Sequence, residues 1–203
     1  MNVDLNQLVK WRREFHRFPE IGWSEFWTTS RIADYLEDLG CFEIFLGKQI
    51  INPDFVRGRK QAVVDKGLAN AKAYGANEKW LEKMEGYTGC VALFDSGKPG
   101  KTIALRFDID CVNVTETRSS EHIPNKEGFA SINDGFMHAC GHDSHITIGL
   151  GVALWIAQNK DKLTGKVKIV FQPAEEGVRG AAAIAQSGII NDADYFASSH
   201  ISF

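Results

Sequence analysis

The sequence predicts an α/β domain in which helices cover both faces of a sheet. From residue 89 onward, short apolar runs typical of strands alternate with segments of helical periodicity, which is the pattern of layered α/β domains. The chain has 203 residues, of which 44% are hydrophobic and 24% are charged. That length and composition suffice for one globular domain with a substantial core.

The first part of the chain is predicted to contain two helices and a short strand. Asp4 is a good N-cap for a first helix, which Pro19 should end. Ser24 is expected to cap a second helix, and Gly40 is a natural stop for it. Residues 42–46 follow as a short strand.

Residues 53–86 are predicted to be an insertion into this pattern. A proline and several glycines divide the segment, and charged residues are dense in it. Residues 61–84 are compatible with one or two amphipathic helices. We expect the insertion to be a solvated excursion or an interface with another chain.

The remainder of the chain alternates strands and helices. Strands at 90–95 and 102–107 are joined by a short turn and are expected to pair as a hairpin. The other expected elements are a loop at 135–143, a helix at 144–159, a strand at 167–171, a helix at 180–187 and a strand at 195–199.

Potential metal ligands lie at the ends of three predicted strands and just before one predicted helix. In open α/β sheets, ligands bind beyond the carboxyl ends of strands, so these side chains should meet in one crevice. Thiolate, imidazole and carboxylate groups together suit zinc and similar divalent ions. Any one of these residues taken alone would more often be structural, and it is their shared edge that indicates a site. They are Asp108, Asp110, Cys140, His142, Glu175, Glu176 and His200.

Four motifs extend over most of the chain. They are RREFHRFPE at 12–20, ALRFDID at 104–110, MHACGHD at 137–143 and FQPAEEG at 171–177. In this order they resemble the dimetal amidohydrolases, the metallopeptidase family that includes aminoacylases, hippurate hydrolases and auxin-conjugate hydrolases. The resemblance implies a three-layer α/β/α sheet of the zinc-peptidase type. Within the family, the segment at 53–86 resembles the branch that hydrolyses p-aminobenzoyl-glutamate.

The resemblance also implies a role for each potential ligand. Cys140 would bridge two divalent metal ions, either manganese or zinc. His142, Glu176 and His200 would bind those ions as well. Glu175 would act as the general base that takes a proton from the attacking water.

Four further residues would support this site. Asp108 and Asp110 would orient a ligand histidine, as carboxylates commonly do around metals. His16 and His138 would be structural or lie behind the ligands. The sequence departs from the family at 111–113, where Cys-Val-Asn replaces small or leucine residues and a proline. That departure leaves the shape of this loop open.

The implied reaction is hydrolysis of an amide bond in an N-acyl amino acid, with p-aminobenzoyl-glutamate giving p-aminobenzoate and glutamate. The alternatives are a hydrolase of other N-acyl amino acids, such as hippurate, and an inactive fragment or partner subunit. Full-length relatives continue with a dimerisation domain and a second part of the catalytic domain, which supplies one more histidine ligand. We therefore expect residues 1–203 to be the N-terminal part of a catalytic domain, truncated here, that works as a homo- or hetero-oligomer.

A different class of enzyme would use Cys140 as a nucleophile with His142 or His145 as its base. Metal chelation separates this alternative from the metallohydrolase, because a thiol enzyme should survive chelation and lose activity on alkylation. The remaining cysteines are expected to be free thiols in a reducing compartment. They are Cys41, Cys90 and Cys111.

Composition argues against several other classes of function. The formal net charge is -3, whereas a nucleic-acid-binding domain would carry a basic excess. No apolar run is long enough to span a bilayer, and the first residues lack the build of a signal peptide. We therefore expect a cytoplasmic protein whose partner is a small amide substrate carrying a carboxylate.

Overall fold

A mixed sheet forms the centre of the structure, a computed structural model that describes residues 4–201. Residues 1–3, which belong to the stretch that argues against a signal peptide, lie outside the described residues, as do 202–203. The strands are β1 (Glu43–Leu46), β2 (Cys90–Asp95), β3 (Thr102–Asp108), β4 (Lys166–Gln172) and β5 (Tyr195–Ser198). The helices are α1 (Leu5–Arg17), α2 (Phe26–Asp38), α3 (Gln61–Ala73), α4 (Glu78–Lys83), α5 (Ile123–Lys126), α6 (His142–Asn159) and α7 (Ala181–Ala185).

The order of the strands across the sheet is β1-β2-β4-β3-β5. β3 is parallel to both of its neighbours, so that Asp108 pairs with Gln172 of β4 and Arg106 pairs with Ser198 of β5. β1 and β2 run antiparallel to each other, and β2 runs antiparallel to β4. The carboxyl ends of β3, β4 and β5 therefore meet at one edge, as the sequence predicted.

The predicted hairpin of residues 90–95 and 102–107 is wrong, because β4 lies between β2 and β3. The turn that joins β2 to β3 spans the start of β4, where the amide of Gly165 donates to the carbonyl of Lys98 at 3.1 Å. Gly165 has φ +72, and a Cβ there would lie 2.2 Å from the carbonyl oxygen of Lys101. Only glycine allows the turn to approach the incoming strand this closely.

Helices α1, α2 and α6 cover one face of the sheet with a large apolar cluster. Representative buried members are Phe15, Leu36, Ile146, Leu150 and Phe171. A smaller cluster on the other face joins α7 and the segment after β1 to the sheet, with Ile50, Ile51, Val91, Val170 and Ile184. The predicted α/β fold with both faces covered is confirmed.

The start of α2 is stabilised by a residue other than the predicted cap. The hydroxyl of Ser24 donates to the carbonyl of Ile21 at 2.6 Å and makes no bond to the helix. Instead, the buried carboxylate of Glu20 accepts the amides of Trp27 at 3.1 Å and Thr28 at 2.8 Å. A carboxylate in this position satisfies free amides of the first turn.

The segment at 53–86 contains the two helices expected of it, α3 and α4, and most of its residues are exposed. Val64, Trp80 and Met84 are buried in the large apolar cluster. The indole of Trp80 also donates to Asp34 of α2 at 2.8 Å. The segment therefore completes the core against α2, and its description as an insertion or an interface stays a prediction.

Helix α6 begins at His142, two residues earlier than predicted, and this places His142 in the first helical turn. Helix α5 was not predicted, and it lies in the long connection between β3 and α6. Across residues 4–201, no helix combines the length and apolar character needed to cross a membrane.

Candidate metal centre

His142 occupies the centre of the site and is fully buried. Its position depends on Gly141, which has φ +84 and turns the chain into α6. The ring nitrogens of His142 lie 3.4 Å from Oδ1 of Asp110 and 3.6 Å from Oδ1 of Asp108. Burial lowers the pKa of His142, but the surrounding carboxylates more than offset this effect, so the pKa lies above its ordinary value.

The tandem glutamates lie beside the Nε2 atom of His142, which also faces Asp108. That atom is 3.8 Å from Oε2 of Glu175 and 3.9 Å from Oε1 of Glu176. Ala174, just before them, has φ +50, an uncommon conformation for a residue with a side chain. The turn is held by buried Glu25, whose carboxylate accepts the amide of Ala174 at 2.7 Å.

Asp110 supports the glutamates through their backbone. Its two carboxylate oxygens accept the amides of Glu175 at 2.9 Å and Glu176 at 3.1 Å. Because Oδ1 of Asp110 also lies 3.4 Å from Nδ1 of His142, Asp110 contacts both this turn and His142. These contacts connect the end of β3 to the end of β4 and fix the backbone from which the two glutamate side chains extend.

Asp108 contacts a histidine that sequence reasoning did not place in a metal site. Oδ1 of Asp108 lies 2.5 Å from Nδ1 of His145, and Nε2 of His145 accepts the amide of Ile201 at 3.0 Å. Both ring nitrogens of His145 therefore have hydrogen-bond partners. The three-residue spacing of His142 and His145 on a helix was the signal that could have found it.

The predicted ligands are brought together in two overlapping groups. Donor atoms of Cys140, His142 and Glu176 all lie within 4.8 Å of one another. His142 also belongs to a second group, in which the donor atoms again lie within 4.8 Å of one another. This group contains Asp108, His142, His145 and His200. Nε2 of His200 is also 3.4 Å from Sγ of Cys140, which connects the groups directly.

The donors of the first group fit a divalent ion. Both ring nitrogens of His142 and Oε1 of Glu176 are buried without a hydrogen-bond partner among the described residues. Buried polar atoms are rarely left unpaired, and coordination to a metal satisfies them. His145, whose ring nitrogens are both engaged, fits a supporting role better than a ligand role.

The surroundings of Cys140 disfavour a thiol nucleophile. Burial, together with the carboxylates of Glu176 and Glu175, raises the pKa of the Cys140 thiol to about 11. A nucleophilic cysteine needs the opposite environment, one that lowers the pKa of the thiol and so stabilises the thiolate. All four cysteines are free thiols.

Glu175 has the environment of a general base. Its side chain is partly exposed, and burial raises its pKa above the ordinary value. The charge of His142 opposes this rise, and the neighbouring carboxylates add to it. A carboxylate with a raised pKa holds a proton more readily after taking it from water.

His16 and His138 lie behind the ligands, in the surroundings of α6. His16 contacts Oδ2 of Asp143 at 2.8 Å and Oε1 of Glu116 at 3.0 Å, and these carboxylates raise its pKa despite burial. Burial lowers the pKa of His138 to about 4. His16 therefore ties α1 to the residue that follows His142.

The sequence of this chain is similar to those of several known proteins. Residues 104–203 match the model of Peptidase family M20/M25/M40. The chain is 98% identical, over 100% of its length and 48% of the relative, to a Haemophilus influenzae homolog of one p-aminobenzoyl-glutamate hydrolase subunit. It is 44% identical to indole-3-acetyl-aspartic acid hydrolase of Enterobacter agglomerans, over 97% of this chain and 45% of the relative. It is 42% identical to the corresponding p-aminobenzoyl-glutamate hydrolase subunit of Escherichia coli, over 96% of this chain and 45% of the relative.

Two solved structures share the fold. The aminobenzoyl-glutamate utilization protein of Klebsiella pneumoniae superimposes with a TM-score of 0.78 at 36% identity, over 97% of this chain and 43% of that one. The YXEP protein of Bacillus subtilis, described as a dinuclear metal binding peptidase, gives a TM-score of 0.71 at 28% identity over the same shares. The chain spans about half the length of the curated relatives it matches.

Proposed function

The chain belongs to peptidase family M20/M25/M40, and from this membership we propose that it forms part of a metal-dependent amidohydrolase acting on p-aminobenzoyl-glutamate. The observation that carries the proposal is the group formed by Cys140, His142 and Glu176, whose donor atoms lie within 4.8 Å of one another beside Glu175. Two relatives are named as hydrolases of amides of acidic amino acids, and both support this class of substrate.

In this proposal, Cys140, His142, Glu176 and His200 hold two divalent ions, manganese or zinc. When bound, such ions acidify water and polarise a carbonyl group. Glu175 takes the proton of the attacking water and delivers it to the amide nitrogen, so that glutamate leaves as the amine and p-aminobenzoate as the acid. Asp110 keeps Glu175 in place by accepting a hydrogen bond from the backbone amide of Glu175.

We also propose that residues 1–203 are the N-terminal part of a catalytic domain and that the remainder of the site comes from elsewhere in the complete protein. The Escherichia coli relative is named as one subunit of its enzyme, which supports a second chain as a partner. The complete protein is therefore the right material for every test of activity.

The test is a panel of amides assayed on the complete protein, with metal content measured by elemental analysis. We expect about two divalent ions per chain, turnover of p-aminobenzoyl-glutamate, and loss of turnover on chelation with recovery on adding manganese or zinc. Faster turnover of hippurate would favour the alternative substrate class. Activity that survives chelation and disappears on alkylation would overturn the metal mechanism.

A further inference from the structure

Arg179 lies in a slot lined by glycines next to the glutamate turn. Its Nε atom donates to the carbonyl of Glu176 at 2.6 Å. A Cβ on Gly22 would lie 2.4 Å from Nη2 of Arg179, and a Cβ on Gly58 would lie 2.8 Å from its Cδ. Side chains at either position would displace the arginine, so the backbone is shaped to admit it.

The terminal nitrogens of Arg179 have no protein partner among the described residues. The side chain is partly buried, and its one hydrogen bond uses Nε. A cation withdrawn from water without a counter-charge is costly, so such groups are commonly reserved for a ligand. Five of the other arginines are paired with carboxylates, and Arg17, Arg57 and Arg59 are not among the described pairs. The paired residues are Arg12, Arg13, Arg31, Arg106 and Arg118.

Further positive charge surrounds this slot. Arg57, Arg59 and Lys60 flank Gly58, and within residues 4–201 none of them has a carboxylate oxygen within 4.0 Å. The indole of Trp23 donates to the carbonyl of Arg57 at 2.7 Å, and the guanidinium of Arg59 lies over the ring of Tyr87 at 5.1 Å. These contacts fix the basic segment beside Arg179, where it strengthens the attraction for an anion.

The slot belongs to the same turn as the proposed base. The amide of Arg179 donates to the carbonyl of Ala174 at 3.2 Å, and the amide of Val178 donates to the carbonyl of Glu175 at 2.8 Å. These bonds fix the backbone of Arg179 relative to Glu175, four residues before it. The bond from Nε to the carbonyl of Glu176 then holds the guanidinium against the same turn.

We propose that the free edge of Arg179 binds the side-chain carboxylate of an acidic amino acid in the substrate, and so selects glutamate and aspartate amides over neutral ones. The inference rests on the proposed function. Guanidinium and carboxylate groups pair through two parallel hydrogen bonds, a geometry available to Nη1 and Nη2 because Nε is already engaged.

The test compares two ligands that differ only in this charge, N-(p-aminobenzoyl)-glutamate and N-(p-aminobenzoyl)-glutamine. Equilibrium binding is measured on the complete, metal-loaded protein carrying Glu175→Gln, so that no turnover intervenes. We expect Arg179→Met to weaken the glutamate ligand by about 10- to 100-fold and to leave the glutamine ligand almost unchanged. The affinity of Arg179→Lys for the glutamate ligand should fall between that of the parent protein and that of Arg179→Met.

Arg17→Met is the matched control, since Arg17 is exposed and also lacks a carboxylate partner in the described part of the chain. It should leave the preference for glutamate intact. Equal losses for both ligands in Arg179→Met would assign the residue to holding the turn and overturn the proposal. Equal binding of both ligands by the parent protein would overturn it too, while leaving the amidohydrolase function standing. Binding of neither ligand would remove the proposed function and this inference together.

Discussion

Glu175 lies beside the proposed ligands without belonging to them, so its role can be tested separately. Glutamine in its place keeps the shape of the side chain and removes the proton acceptor. We expect Glu175→Gln in the complete protein to retain its metal and to lose about 10²–10⁴-fold in kcat. Metal content and kcat are measured together, with Glu78→Gln, an exposed change on α4, as the control. Near-normal turnover would exclude Glu175 as the base.

The thiol of Cys140 gives a second test at the scale of one residue. Its pKa of about 11 means that little thiolate is present near neutral pH in metal-free protein. We expect alkylation of Cys140 at about pH 7.5 to be far slower than that of an ordinary exposed cysteine, and to accelerate as the pH rises toward the thiol pKa. Mass spectrometry of the modified peptide follows the rate. Rapid alkylation at neutral pH would restore the thiol nucleophile as an alternative.

Single residues of the site were predictable where a strand end or a helix start fixed them. Cys140, His142, Glu176 and His200 were expected at one edge, and the structure brings them there. His145 was not expected, because its contact with Asp108 depends on how α6 lies across β3. The local spacing of residues gives no information on how α6 packs against β3. Whether these residues bind metal stays a prediction for elemental analysis to decide.

At the scale of elements, Glu20 is the residue on which the start of α2 depends. Alanine at this position leaves the amides of Trp27 and Thr28 without their acceptor in a buried environment. We expect Glu20→Ala to lower the free energy of unfolding by about 1–3 kcal/mol. Denaturant unfolding of the complete protein measures this. Ser24→Ala, the cap predicted from sequence, should cost less, and a larger loss from Ser24→Ala would return the capping role to Ser24.

The positions of most strands and helices could be predicted from the sequence, but which of them pack side by side could not. Most strand and helix positions follow from apolar periodicity, which depends on local sequence. The order of β2, β4 and β3 depends instead on which apolar faces meet after the chain collapses. The same holds for α4, whose Trp80 packs into the large apolar cluster and donates from its indole to Asp34 of α2. Charge density indicated the exposed residues of this segment but not its buried face.

At the scale of the whole molecule, the similarity to M20 relatives confirms the family that the four motifs predicted. The relatives are about twice as long as this chain. Both ligand groups are formed by residues 4–201. How the site is assembled in the complete protein is part of the proposal.

The outer edge of β5 gives a prediction about the chain as a whole. Within the described residues β5 pairs only with β3, and it exposes Tyr195 to 60% and Phe196 to 53%. Unpaired edges that carry apolar side chains promote strand-to-strand association. We therefore expect the isolated 203-residue chain to self-associate, as measured by sedimentation velocity over a range of concentrations.

Charge at this edge should oppose that association, because a lysine on an edge strand discourages pairing with another chain. Phe196→Lys is thus expected to shift the isolated chain toward the monomer. Ile123→Lys introduces the same charge at an exposed apolar residue of α5, 59% exposed and outside the sheet, and should leave association unchanged. If both variants dissociated equally, net charge would be the cause. If the parent chain sedimented as a monomer at every concentration, the β5 edge would not be an association surface.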